Sequence, residues 1–481
     1  ETLNIVDAYD STEFDFSGTK KFDQGTGYRT TSVLTMPLKN SQDDVIGVLQ
    51  LLNALDPETG EVVAFPEELQ PLMEALASQA AVALDNALLI KAQESLLDSF
   101  ITLMARAVDA KSPYTGGHCE RVPELTEMLT RAVCDAESGP FADFNLSQEG
   151  WYELHIGAWL HDCGKVTTPE YVVDKSTKLE TITDRIHEVR MRFEVAKREA
   201  IIACQEQIIA GNGDSAVLRE ELGRTLSQLD EDYYFIAECN LGGEFMAEDR
   251  VERVRKIAGQ TWTRTLYDRV GIAHEELVRR ERQPAPVLPV AEPLLADRLD
   301  HLIEHDADVH SADPDNPYGF RIKVPEHKYN LGEIYNLCIS RGTLTEEERF
   351  KINDHIVQTI VMLESLPFPK HLARVPEIAG GHHEKMDGTG YPKQLRGEQM
   401  SIPARVMAIA DVFEALTAAD RPYKPAKKLS ESVKIMSFMV KDDHLDPDLF
   451  RLFLESGVYK AYADKFLLPE QIDDVDVAQY F

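Results

Sequence analysis

The chain has 481 residues, 43% of them hydrophobic and 28% charged, a balance that fits a globular protein and excludes a disordered one. The formal net charge of −33 argues against a nucleic-acid polymer as partner, because polymer binding needs Lys and Arg to neutralise phosphates. A small anionic substrate stays compatible, since a few placed cations reverse such a field locally.

The length allows two to four domains. Uninterrupted apolar runs fall short of the ~18 residues of a membrane span. No charged start followed by an apolar core resembles a signal peptide. The expectation is a cytoplasmic protein without membrane insertion. The six cysteines (Cys119, Cys134, Cys163, Cys204, Cys239, Cys338) are scattered and form no CxxC pair, so they read as reduced thiols rather than a disulfide framework.

Residues 1–65 alternate short β-like runs with turns. "SVLTMPL" (32–38) and "VIGVLQLLN" (45–53) flank the polar turn "KNSQDD". Pro66 opens a helical stretch to Ala110, with Leu69, Leu72, Met73, Leu76, Ala80, Ala83, Ala87 and Ile90 at helical spacing. Leu97, Phe100, Ile101, Met104 and Val108 continue the series. It is one long connector or two stacked pieces, and it either pairs across a homodimer or packs on its own domain. Residues 180–282 read as strongly helical and charged, including "RVERVRKIAGQTWTRTLYDRV". "QPAPVLPVAEP" (283–293) is a proline-rich extended connector, and 310–319 is loop. Two helices follow, at 345–365 and, after Pro403, at 404–419.

Several segments carry residues suited to metal chemistry. "WLHDCGK" (159–165) sets an imidazole, His161, beside a carboxylate, Asp162, whose two oxygens can bridge two cations. Gly164 permits a tight turn there, and Lys165 adds a positive charge. His118 stands at the start of a helix and His355 near the start of another. "GGHHEKMDGTGYP" (380–392) opens on His382 and His383. Asp411 sits on an otherwise apolar helix, where an unpaired buried charge is costly.

Two resemblances follow. "TGYRTTSVLTMPL", "VIGVLQLLN" and "ASQAAVALDNALL" resemble the C-terminal part of a GAF domain, over residues 1–90. The ordered set of histidines and aspartates, with "HDCGK", "HHEKMDGTGYP" and "ADVFEALTAADRPYK", resembles the HD-GYP family of HD phosphohydrolases, over residues 98–170 and 335–460. The fold class implied is multidomain: an α+β partial GAF domain (1–90), a connecting helix (91–110) and an all-α HD-GYP bundle (111–481). The bundle is interrupted at about 175–335 by a mostly helical insertion that caps the pocket, binds a partner or is neutral elaboration.

The family resemblance implies two metal ions. His118, His161, Asp162 and Asp411 would hold one, and Asp162 would bridge to a second held by His355, His382 and His383. Such ligands suit Fe or Mn, with Zn as a third choice. Metals about 3.5–4 Å apart would activate water against a phosphodiester. Asp162 and Lys165 would be catalytic, Lys165 neutralising charge on the phosphoryl oxygens. Arg421 and Lys424 would hold substrate phosphates. Gly388, Gly390, Tyr391 and Pro392 would shape the mouth of the site, with Gly390 and Tyr391 at the substrate. The substrate implied is cyclic di-GMP, opened to pGpG and sometimes onward to GMP; a GGDEF-type protein is the implied partner. The alternatives are another cyclic dinucleotide such as 3′,3′-cGAMP, a receptor that binds without cutting, or a response-regulator output whose insertion recruits a partner. Some members hold a third metal through a glutamate before the first histidine; Tyr114 stands there, so two metals are expected. One extra residue separates Asp411 from Arg421 relative to the shorter family form.

Overall fold

The alternation in "VLTMPLK" puts Leu34, Met36 and Leu38 on the buried side of a strand, as a period of two requires. The structure, a computed structural model, describes residues 1–110, 117–243, 245–305, 309, 311, 313, 315–419 and 426–481. The described chain divides into two compact units, Glu1–Phe100 and Ile101–Phe481.

In the first unit, β1 (Leu3–Ile5), β2 (Val33–Lys39) and β3 (Val45–Leu52) form an antiparallel sheet in that order. A helix, α1 (Ser17–Thr26), precedes β2, and a small pair, β4 (Ala54–Leu55) with β5 (Val62–Val63), follows β3. Leu34, Met36 and Leu38 pack on Ala77 and Ala81 of α2 (Gln70–Asp109). Both strands read from the sequence are present, and α2 is one continuous helix. α1 corrects the reading of 1–65 as strands and turns alone. Its "SGTKKFDQGT" has two glycines and a weak helical pattern. Tertiary bonds hold it: buried Asp23 accepts from the Thr30 N–H at 2.7 Å and the Tyr9 hydroxyl at 3.1 Å. The stretch Glu67–Asp109 is long and apolar enough, by length and composition, to cross a membrane, although no uninterrupted apolar run is.

The second unit begins with α3 (His118–Cys134), α4 (Gln148–Leu160) and the short α5 (Glu170–Val173). It continues through the long α6 (Ile186–Ala210) and α7 (Ser215–Asn240), then α8 (Glu248–Ala258). β6 (Thr261–Arg264) pairs antiparallel with β7 (Val290–Pro293), and α9 (His274–Glu281) lies between them. β6 corrects the helical reading of that stretch. "TWTR" is β-branched and aromatic, and its partner strand lies in the proline-rich connector, out of reach of any local pattern. β8 (Leu302–Ile303) pairs with β9 (Tyr329–Asn330), followed by α10 (Glu333–Leu337).

The remaining helices are α11 (Glu346–Glu364), α12 (Val375–Gly380), α13 (Ile402–Thr417), α14 (Leu429–Lys441), α15 (Pro447–Glu455) and α16 (Val458–Phe466). A large core joins α3, α4 and α13–α16 through Val122, Leu125, Leu154, Val406, Phe413, Val433, Phe453 and Tyr462. Residues 179–337 carry a core of their own around Leu179, Val189, Phe193, Ile236, Val254 and Leu294.

Candidate metal centre

Each proposed ligand is delivered by a helix end or a helix face of the second unit. His118 is the first residue of α3, after Gly117 in a left-handed conformation (φ 87°). His161 follows the last turn of α4, and Asp162 begins the turn Cys163–Thr167. Gly164 lets that turn lie directly on α11: a Cβ there would fall 1.9 Å from the His355 carbonyl oxygen and 2.6 Å from the Thr359 nitrogen. The Gly164 N–H donates to the Thr359 hydroxyl at 2.9 Å. His355 thus stands mid-helix rather than near the start of α11. His382 and His383 follow α12, and Asp411 lies on α13.

These elements bring the seven residues together. His355, His382 and His383 can offer ligand atoms within 4.8 Å of one another, as can His118, His161 and Asp411, and His161, Asp162 and His382. Asp162 stands between the groups. Its Oδ2 lies 3.1 Å from His118 Nε2 and 3.3 Å from His161 Nε2, and its Oδ1 lies 3.2 Å from His355 Nε2.

The lone pairs point inward. Nδ1 of His161, His355 and His382 sits 2.7, 2.6 and 2.7 Å from the carbonyl oxygens of Ala158, Ile352 and Ala379. A carbonyl can only accept, so each Nδ1 carries a proton and Nε2 is the ring nitrogen turned to the site. The Nε2 atoms of His161 and His382 and Oδ1 of Asp162 are buried without a hydrogen-bond partner. Buried polar groups ordinarily find partners. Bare acceptors converging from three elements fit divalent cations with imidazole and carboxylate ligands.

The protonation states agree with that fit. Burial, then neighbouring His161, pushes His382 down to about 4. Burial with His382 and His355 holds His383 well below the usual histidine range. Burial alone would raise the Asp162 and Asp411 carboxyls. For Asp162 the charges of Lys165 and His161 outweigh it, and for Asp411 the hydrogen bond to His118 and the nearby His382, so both stay ionised. Burial also pushes His118 down, yet its bonds to Asp162, Asp411 and Glu414 prevail and hold it protonated without a metal.

Glu414 was not singled out in the sequence. It lies one helical turn after Asp411, accepts from His118 Nδ1 at 2.5 Å and pairs with Arg121 at 2.6 Å. A carboxylate three residues after Asp411 on the same helix was its only signal. Lys165 places its ammonium on Asp162 Oδ2. Tyr391 stacks on His383, ring centroids 4.8 Å apart. Gly390 is buried, and a Cβ there would meet the Lys385 nitrogen at 2.4 Å, so it allows the loop to lie on its own first turn. Glu384 ties down that loop by accepting from the Lys393 and Leu395 N–H groups at 2.6 and 2.9 Å. Cys119 and Cys163 are buried; burial raises both thiols, Cys163 to about 11, which keeps them poor ligands beside the histidines. Arg421, Lys424 and Tyr114 lie outside the described residues.

Comparison with known proteins agrees with both halves of this picture. The GAF domain family matches residues 1–84, and the HD domain family matches residues 289–449. 3′3′-cGAMP-specific phosphodiesterase 1 of Vibrio cholerae is 39% identical over 132 residues, 27% of this chain and 30% of that protein. A cyclic di-GMP phosphodiesterase of the same organism is 39% identical over 123 residues, 25% of each chain. 3′3′-cGAMP-specific phosphodiesterase 2 of Vibrio cholerae is 30% identical over 248 residues, 50% of this chain and 43% of that protein. The chain thus spans less than half the length of each of these relatives.

Proposed function

We propose that this chain, which belongs to the HD-domain superfamily in its HD-GYP-like branch and carries a GAF domain, is a metal-dependent phosphodiesterase that opens a cyclic dinucleotide. The observation that carries the reading is the convergence of seven histidine and aspartate side chains, with the buried Nε2 atoms of His161 and His382 and Oδ1 of Asp162 left without hydrogen-bond partners. His118, His161, Asp162 and Asp411 would hold one cation; Asp162, His355, His382 and His383 would hold a second. Iron or manganese suits these ligands first, and zinc next. When bound, such cations polarise a phosphoryl oxygen and lower the pKa of the attacking water.

The protein's own contributions are positional and electrostatic. The three backbone carbonyls fix which imidazole nitrogen faces the site. Lys165, already drawn to Asp162, supplies positive charge where the phosphoryl oxygens gain negative charge. Tyr391, stacked on His383, gives a base of the substrate an aromatic edge at the rim. Arg421 and Lys424 would take the substrate phosphates, and the loop around Gly388–Pro392 is the face offered to a GGDEF-type partner.

Cyclic di-GMP, cut to pGpG, is the first substrate. A second, 3′,3′-cGAMP, is favoured by the similarity to relatives specific for it. Turnover of the two by metal-loaded protein, measured side by side, separates them. His382→Ala and Asp162→Ala should each abolish hydrolysis and lower metal content while the far-ultraviolet circular dichroism stays unchanged. Normal metal loading with both dinucleotides left intact would refute the enzymatic reading.

A further inference from the structure

The loop at the rim of the metal centre is tied down at both ends. Its start, Met386 and Asp387, donates N–H groups to the carbonyls of His444 and Asp443, just past α14, at 3.4 and 3.1 Å. Its end, Lys393 and Leu395, donates to Glu384. Tyr391 and Pro392 lie between these ties. The Tyr391 N–H reaches the His383 carbonyl at 3.2 Å, and the Pro392 carbonyl accepts from the Arg321 N–H at 2.7 Å. That donor belongs to a distant stretch, Asn316–Ile322, which lies between β8 and β9 in chain order.

Local bonds free the Arg321 N–H for this contact. Asn316 is buried. Its Oδ1 accepts from the Phe320 N–H at 2.8 Å, and its Nδ2 donates to the Phe320 and Asp313 carbonyls at 3.0 and 2.9 Å. Gly319, at φ 73°, lets the chain turn back on itself. Both main-chain groups of Phe320 are thus satisfied inside the turn, and the next N–H goes to the rim loop. The Phe320 side chain is 4% exposed and packs on Val357 and Ile360 of α11. Its ring stacks on Tyr318, centroids 5.2 Å apart, and the Lys393 ammonium lies over it, 5.9 Å from the centroid. One aromatic therefore faces both the helix that carries His355, two residues before Val357, and the residue that follows Pro392.

On the reading of this centre as a cyclic-dinucleotide site, we infer that Phe320 is a positioning residue for substrate. It sets the gap between α11 and the rim loop, so that the Tyr391 ring stands where a base of the dinucleotide can stack on it. The link runs through two contacts: the ring meets Lys393, and the following N–H holds the Pro392 carbonyl. Tyr391 is the next residue back, already seated on His383. Base stacking is made by substrate and transition state alike. Losing the placement of Tyr391 therefore weakens affinity and leaves the rate of the bound complex as it was.

The test reads binding as well as turnover. The metal-loaded 481-residue protein is titrated calorimetrically with cyclic di-GMP and with 3′,3′-cGAMP, and hydrolysis is followed in parallel. Phe320→Ala should raise Kd, and KM for a dinucleotide that is cut, by about tenfold, the scale of one lost base stack. Its kcat and metal content should stay unchanged. Phe320→Leu, which keeps an apolar group on Val357 and Ile360, should recover most of the affinity. Tyr391→Ala should weaken binding by a similar factor. Phe320→Ala combined with Tyr391→Ala should weaken it no more than either alone, because both remove the same stack. Additive losses would overturn the inference, as would an unchanged Kd in Phe320→Ala. So would a lowered kcat together with lost metal, which a merely structural residue would give. Tight binding without turnover would refute the enzymatic reading alone, the affinity comparison still deciding the role of Phe320. Failure of the unsubstituted protein to bind either dinucleotide would overturn the positioning role too.

Discussion

His161, His355 and His382 are oriented by one local device, a hydrogen bond from Nδ1 to the carbonyl three residues back. His118 cannot use it, because it opens α3 and no helical carbonyl precedes it. Glu414 takes that place from another helix, and Arg121, one turn after His118, holds Glu414 in turn. A carboxylate behind a ligating imidazole fixes its tautomer and raises its basicity, and losing such a partner costs roughly 10–100-fold in metal affinity. Glu414→Gln should therefore weaken metal binding on the His118 side by about that factor and spare the site of His355, His382 and His383. Metal titration followed by elemental analysis checks it: one tight and one weakened equivalent are expected. Two tight equivalents would leave Glu414 with no positioning role. The seven ligand candidates were legible through the family resemblance, which rests on the His161–Asp162 and His382–His383 pairs in order with His118, His355 and Asp411. Glu414 was not, since one carboxylate on a helix looks like any solvated charge until α3 is laid against it.

At the scale of elements, the centre depends on how closely the Cys163–Thr167 turn lies on α11. That approach rests on the missing side chain of Gly164. Gly164→Ala would drive a methyl group into backbone that cannot rotate away, and overpacking of this kind costs about 1–3 kcal/mol or more. The expected outcome is a lower midpoint in urea together with reduced metal content, because His355 and Asp162 lie on the two surfaces forced apart. An unchanged midpoint would mean that the turn relaxes freely. The glycine was legible as a turn residue, but its contact with a helix 190 residues away was not. The same limit explains α1 and β6. Local pattern predicted α2, α11 and α13 within a few residues, since each carries its own apolar stripe. α1 depends on Asp23 meeting Thr30, and β6 depends on a partner strand beyond α9.

Across the whole second unit, the segment at about 175–335, expected from the sequence to be an insertion, is tied at its ends to α11 by a buried seam. Lys178 donates to the carbonyls of Leu337 and Ile339, both at 2.8 Å, so one lysine clamps the two ends of the segment together. Lys175 reaches further. Its ammonium bonds both carboxylate oxygens of Glu348 at 2.8 Å, and Glu348 also closes the first turn of α11 by accepting from the Thr345 N–H at 2.9 Å. His355 lies seven residues on, two turns along the same face of that helix. The pair is nearly solvent-free, with side-chain exposures of 1% and 5%. A buried pair adds little net stability over an apolar replacement, but removing one partner strands the other charge at a cost of roughly 3–5 kcal/mol. Lys175→Ala should therefore destabilise the unit by about that much. Glu348→Ala, which also loses the cap, should cost at least as much. The double substitution should cost clearly less than the sum, because no charge remains unpaired. Denaturant midpoints of the three variants check the cycle, and metal content shows whether the seam transmits to the site. Loss of metal in Lys175→Ala at a temperature where the protein stays folded would make the insertion a support for α11 rather than a separate appendage. Retained metal with additive energies would confine its role to its own core.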